Sequence, residues 1–238
     1  MASTTAEFMA LFRALESARH PRNARLFEDP WAAGFLGAPL RVVAAAARIP
    51  LLGGLIRWAI DVRWPGARPS GVARTRWIDD ELREALTGGV RQVLILGAGF
   101  DAAAPSFILW EGVTNYLTAE GVDTTLRTLA RGCAPKSRVL FTYVHRGLLD
   151  GTATFGDTAA LGRMLRRVKE PWTFGLVPAE LSGYLADRGL ALVRDLGSTE
   201  IRARYLGPGA RQLRGYEFYR AALAEVAVPM AGSERDVA

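Results

Sequence analysis

Apolar positions recur along this chain with two different periods. From Thr4 the spacing of Phe8, Leu11, Phe12 and Leu15 places them on one helical face, and Thr4-x-x-Glu7 reads as a capping box, so a helix is predicted to about Arg19. His20-Pro21 breaks it, and a second helical region runs unevenly from Leu26 to Trp64. Pro65 to Gly71 reads as a loop, the best boundary between this helical front and the remainder of the chain. Val72 to Leu86 is predicted as a helix with Ile78, Leu82 and Ala85 inward, ended by Gly88-Gly89.

Beyond it the pattern changes. Short β-branched and aromatic runs, Gln92–Leu96, Phe107–Trp110, Arg138–Val144, Leu190–Leu196 and Tyr216–Leu223, read as strands. Helical stretches capped by Thr118, over Asp157 to Val168, and from Pro178 to Arg188 with Gly189 as its stop, lie between them. Alternating strands and helices predict an α/β sheet. The segment from Pro229 has no periodicity and reads as a disordered tail. The domain expectation is therefore a helical region over 1–70, a sheet domain over 71–228 and a tail over 229–238.

With 238 residues, half of them hydrophobic, the chain can bury a full core. The net charge is +6, but the arginines are scattered rather than striped, which argues against a nucleic-acid groove. Cys133, alone of its type, excludes an internal disulfide framework and fits a reducing compartment; its helical spacing from Leu126 and Leu129 marks a core thiol. His20 and His145 have no metal-ligand spacing around them. The start lacks a signal pattern, and Val42 to Ile60 is interrupted by Arg48, Pro50 and Arg57, so a cytoplasmic location and no membrane partner are expected.

The segment Val93-Leu94-Ile95-Leu96-Gly97-Ala98-Gly99-Phe100-Asp101 is the most telling. A strand that ends in Gly-x-Gly and a carboxylate brings backbone close to a nucleotide-like ligand, although an ordinary tight turn gives the same letters. The next strand ends in Trp110-Glu111-Gly112-Val113-Thr114-Asn115-Tyr116-Leu117, which puts a carboxylate at the carboxyl end of a parallel strand.

Together with Arg74-Thr75-Arg76, these segments resemble the S-adenosylmethionine-dependent methyltransferases of the leucine carboxyl methyltransferase and polyketide O-methyltransferase superfamily, in its bacterial branch. Phe27-Glu28-Asp29-Pro30, Pro171-Trp172-Thr173-Phe174-Gly175 and Gly215-Tyr216-Glu217-Phe218-Tyr219-Arg220 extend the resemblance over nearly the whole chain. It implies a Rossmann-like class I methyltransferase sheet with an N-terminal helical lid, S-adenosyl-L-methionine as cofactor, and O-methylation of a carboxylate or hydroxyl on a small-molecule acceptor. It implies that Arg74 pairs with the methionine carboxylate, that Gly97, Gly99, Asp101 and Glu111 line the cofactor site, and that Tyr116, Trp172 and Phe174 lie on the acceptor side. A surface Arg, a strand-end Glu and core aromatics are the alternatives. No catalytic residue is assigned, because in-line methyl transfer depends mainly on alignment.

The chain also departs from the resemblance. Nine residues separate Gly97 from Phe107 where the family has two βαβ units, a shortfall on the order of 60 residues. The sheet is therefore expected to lack the second and third family strands and to run in the order 1-4-5-7-6, with the last strand antiparallel and strand one at an edge. Glu120, near the spacing of a ribose-binding acid, starts a helix instead. The exposed edge leaves a homodimer open, and the shortened cofactor half leaves a second reading: a cofactor-impaired remnant serving as an interaction module.

Overall fold

A computed structural model describes residues 4–95, 104–155, 171–207, 209–210, 213 and 216–227. The chain divides into two units, each assembled from three segments: 1–80, 154–171 and 197–218 in the first, 81–153, 172–196 and 219–238 in the second.

In the first unit α1 (Thr4–Ser17), α2 (Ala38–Ala46), α3 (Pro50–Arg63), the first part of α4 (Ala67–Thr87) and α8 (Ser198–Leu206) supply the helices. Leu11, Ala14 and Leu15 of α1, with Ala18 just after it, bury against Ala32, Leu36, Ala44 and Ala47. Glu7 Oε1 accepts the Gly37 N–H at 2.7 Å, one of the free amides where α2 begins. Asp29 ties the connecting segment down. It takes Arg13 Nε at 2.7 Å on one oxygen and the amides of Trp31 and Ala32 at 2.9 and 3.0 Å on the other. α3 turns Ile56 and Ile60 toward the α1 cluster and leaves Leu51, Leu55, Trp58 and Val62 exposed.

Two sequence expectations need correction here, and one helix was unforeseen. The 65–71 stretch is not a loop, because α4 already starts at Ala67; Pro69 falls in the first turn, where its missing N–H costs nothing. α8 carried no apolar periodicity, because its central Arg202 is fully buried. That guanidinium reaches Ser70 Oγ at 2.6 Å, the Leu213 carbonyl at 2.7 Å and Glu217 at 3.3 Å. The last strand begins at Tyr219 rather than Tyr216, whose φ of 63° lies outside any strand conformation.

The second unit holds the sheet. Its strands, β1 (Gln92–Ile95), β2 (Ser106–Trp110), β3 (Arg138–Val144), β4 (Leu190–Gly197) and β5 (Tyr219–Val226), lie in the order β1-β2-β3-β5-β4. β1 pairs parallel with β2 from Gln92↔Ser106 to Ile95↔Leu109, β2 parallel with β3, and β3 antiparallel with β5 from Arg138↔Glu225 to Val144↔Tyr219. This is the expected order, and among the described residues β1 forms one edge, with Val93 and Ile95 exposed.

β3 is central and buried on both faces. α5 (Ala119–Gly132), α6 (Arg146–Asp150) and α7 (Leu181–Ala186) complete the unit. Thr118 caps α5 by accepting the Gly121 amide at 3.1 Å, and Val122, Leu126, Leu129 and Cys133 pack on Ile108, Val139 and Phe141. Burial pushes the Cys133 thiol up to about 11, which makes it inert as a nucleophile. The helix expected over 178–188 is shorter, a 3₁₀ turn at Pro178–Glu180 followed by α7. The expected helix over 157–168 and the tail from 229 lie outside the described residues.

Candidate active site

The carboxyl ends of β2 and β3 are joined into one rim by Thr142 of β3. Its Oγ1 accepts the Gly112 amide at 2.8 Å and lies 3.2 Å from Tyr219 Oη, while its carbonyl accepts Thr114 Oγ1 at 2.5 Å. One buried hydroxyl thus fixes the turn after β2 and the first residue of β5. Gly112, with φ 73°, makes the left-handed turn that follows Glu111.

A second segment closes on this turn. The Asn115 carbonyl accepts the amides of Thr173 at 2.8 Å and Phe174 at 3.4 Å, and Thr173 Oγ1 donates to the Leu117 carbonyl at 2.9 Å. Residues 172–176 then run along the end of β3, with Leu176 N–H on the Val144 carbonyl and Arg146 N–H on the Leu176 carbonyl, both at 3.0 Å. A side chain at Gly175 would begin 2.9 Å from the Val144 carbonyl oxygen, so only glycine permits this approach.

Glu111, half-buried, stands directly after β2 on this rim; Tyr116, five residues on, and Trp172, next to the Thr173 that bonds this turn, are half-buried too. The Trp172 ring lies 6.3 Å from that of Tyr219, tilted by 58°. Asn115 is buried, and its Oδ1 has no hydrogen-bond partner among the described residues.

His145 follows β3, but its Nδ1 accepts the Gly147 amide at 3.0 Å and caps α6. Burial and then the Arg220 charge lower its pKa against the pull of Asp150. On the same unit Tyr143 Oη donates to Asp195 at 3.0 Å, and Arg220 pairs with that carboxylate at 2.9 Å. Burial and then Asp195 push the Tyr143 phenol up, which leaves this cluster neutral and structural.

Of the residues singled out from sequence, Glu111, Tyr116, Trp172 and Phe174 all belong to the second unit. Phe174 is 6% exposed and packs in the core cluster of the second unit. Arg74 belongs to the first unit, buried, with Nη2 3.9 Å from Met9 Sδ; its charge opposes the upward push of burial on the Tyr216 phenol. Gly97, Gly99 and Asp101 lie outside the described residues. Sequence reasoning missed Asn115, Thr142 and Tyr219. Asn115 and Tyr219 stood inside the quoted motifs, and Thr142 was the polar letter in an otherwise apolar run.

Among the described residues no cluster of His, Cys, Asp and Glu could hold a metal ion, and no helix is long and apolar enough to cross a membrane. A solved structure from Thermobifida fusca YX, provisionally named a methyltransferase, matches with a TM-score of 0.53 at 14% identity, covering 91% of this chain and 94% of that one. It shares the fold. A Frankia alni protein provisionally named an S-adenosyl-L-methionine-dependent methyltransferase is 38% identical over 109 residues, 42% of this chain and 32% of its own length. A second from Frankia alni is 42% identical over 100 residues, and one from Streptomyces coelicolor is 35% identical over 116. The matches span about a third of the length of these relatives. The family model described as leucine carboxyl methyltransferase matches residues 6–104 and 98–130, two pieces that overlap just after β1 and together take in more than half of the chain. The chain belongs to the leucine carboxyl methyltransferase family.

Proposed function

We propose that this chain takes S-adenosyl-L-methionine as cofactor and directs its methyl group to a carboxylate or hydroxyl oxygen of a small molecule. The observation that carries the reading is the rim after β2 and β3. It offers the Glu111 carboxylate and the buried, unsatisfied Asn115 Oδ1 at the carboxyl ends of parallel strands, where open α/β sheets bind ligands. Those two acceptors suit the ammonium and hydroxyl donors of such a cofactor. The family motif adds Arg74 for its carboxylate and Gly97, Gly99 and Asp101 for the turn. When bound, the cofactor would supply an electrophilic methyl group to the acceptor oxygen. The chain's part is positional: Thr142 and Gly175 hold the rim rigid, and the rings of Tyr116 and Trp172 exclude water from the acceptor. His145 spends its Nδ1 lone pair on Gly147 and is given no proton-transfer role. No nucleic acid or membrane enters this reading.

The fit is incomplete. Residues 96–105, which join β1 to β2, include one acid, Asp101, and leave no room for two further strands and their helices. This favours a second reading, a methyltransferase-like remnant with an impaired cofactor site. Titration calorimetry with S-adenosyl-L-methionine separates the two. Losing two charge-assisted hydrogen bonds, at roughly 1.5 to 3 kcal/mol each, predicts affinity about a hundredfold or more below that of a full-length relative. Arg74→Ala is expected to abolish what remains. Absence of binding at millimolar cofactor would favour the remnant, and tight binding indifferent to Arg74→Ala would overturn the weakened-site account.

A further inference from the structure

Nine of the sixteen large apolar side chains that stand exposed among the described residues fall between Trp31 and Val62, in the first unit. Four of them form a stripe on α3. Leu51, Leu55, Trp58 and Val62 follow one another at i, i+4, i+7 and i+11, which keeps them within roughly 60° of arc at about 3.6 residues per turn. Leu51 is 88% exposed, and the other three are 59, 63 and 62% exposed. The opposite face of α3 is occupied: Ile56 and Ile60 pack on the α1 cluster, and Gly53 lies so close to the Ala47 carbonyl that no side chain would fit between them. α3 therefore cannot turn its stripe inward without giving up that packing.

A helix that is apolar on both faces calls for cover on both, and an exposed apolar patch of this kind marks a contact with protein or membrane. Charge narrows the choice. Over residues 38–66 the only acid is Asp61, which Arg68 grips through two nitrogens, whereas Arg41, Arg48 and Arg63 are exposed. Arg48 precedes the stripe and Arg63 follows it, so a second copy laid along α3 in either direction would bring arginines of the two chains together at both ends. An anionic cover suits this surface instead. The stripe is a ridge led by Leu51, and a fluid acyl layer takes in protruding side chains without needing a matching groove. Trp58 and the flanking arginines are the residue types that sit at the headgroup boundary of such a layer.

We infer that the first unit docks on the surface of a bilayer that contains anionic phospholipid, with the Leu51, Leu55, Trp58 and Val62 stripe entering the acyl boundary and Arg48 and Arg63 meeting headgroup phosphates. Arg48, Pro50 and Arg57, on which the expectation of no membrane partner rested, exclude a span but not a surface contact. The contact does not depend on methyl transfer.

Cosedimentation of the whole chain with lipid vesicles tests it. Binding is expected to vesicles of phosphatidylglycerol and phosphatidylcholine in equal parts, and to be about tenfold weaker or more with phosphatidylcholine alone. Leu51→Gln combined with Leu55→Gln removes two apolar groups at constant charge and should weaken binding to the mixed vesicles about tenfold or more. Val193→Gln, at an exposed apolar position of the second unit, should leave it unchanged. Arg48→Gln combined with Arg63→Gln should reduce the preference for the anionic mixture about fivefold or more. Because the comparison of lipids uses the unaltered protein, the test stands even where a variant fails to fold. No sedimentation with the mixed vesicles at millimolar lipid, equal binding to both lipids, or binding that survives the paired leucine changes would overturn the inference. So would a concentration-dependent dimer, seen by sedimentation velocity without lipid, that the same paired changes dissolve, since a second copy would then cover α3.

Discussion

At the scale of single residues, several letters that looked like surface charge are internal fasteners. Asp29 was legible only as part of a family motif. Burial raises its pKa, but the hydrogen bond from Arg13, the amides of Trp31 and Ala32 and the Arg13 charge together lower it below 3.8. Because the folded value lies below the unfolded one, the unfolded chain binds the proton more readily. The stabilisation is therefore complete above the ordinary carboxylate range and is lost as the pH falls through the folded value. Asp29→Asn should lower the melting temperature near neutral pH, and the gap to the unaltered protein should close between about pH 5 and pH 2; a gap independent of pH would mean that the carboxylate charge is immaterial. Arg202 is the stronger case. It is 0% exposed and bonds residues from three stretches, so Arg202→Met, which keeps the volume and strands Ser70 and the Leu213 carbonyl, should cost about 3 kcal/mol or more in urea denaturation. Nothing in the sequence distinguishes Arg202 from its exposed neighbour Arg204, because burial of a charge is decided by partners that arrive from far along the chain.

Elements were legible where period and cap agreed. α5 was readable in full, since Thr118 caps it and its apolar positions keep helical spacing; β3 was readable because an unbroken β-branched and aromatic run can only be central. α8 was not, since its inward face carries an arginine, and α6, five residues long, is too short for any period to show. α3 poses the opposite case. Its exposed Leu51, Leu55, Trp58 and Val62 look like core in the sequence, yet Leu51 is 88% exposed. Leu126→Ala in α5 should therefore cost about 2 to 5 kcal/mol, while Leu51→Lys should stay within about 0.5 kcal/mol. Urea denaturation at two protein concentrations checks both, and a larger, concentration-dependent loss for Leu51→Lys would contradict its exposure.

At the scale of the molecule, strand order was foreseeable and the division of the chain was not. The order follows from which apolar runs exist and from the family's topology. The division depends on residues 197–218 joining the first 80, and no local signal announces a contact made across more than a hundred residues. Tyr205 donates to Asp80 at 2.9 Å and Arg202 to Ser70 at 2.6 Å, so α4 completes these two hydrogen bonds only after almost the whole chain has been made. The helical front should accordingly not be an independent domain. A fragment of residues 1–80 retains the α1 cluster and enough helical propensity to give a helical circular dichroism spectrum, but it leaves Ser70 and Asp80 without these two partners and uncovers whatever α8 buries. It is expected to unfold over a broad, weakly cooperative urea transition, with a smaller dependence on denaturant than its length requires. Adding residues 197–218 as a separate peptide should sharpen that transition, and the peptide with Arg202→Met should not. A fragment that unfolds cooperatively without the peptide would show that the first 80 residues hold their own core, and that the long-range hydrogen bonds of Arg202 and Tyr205 are incidental to it.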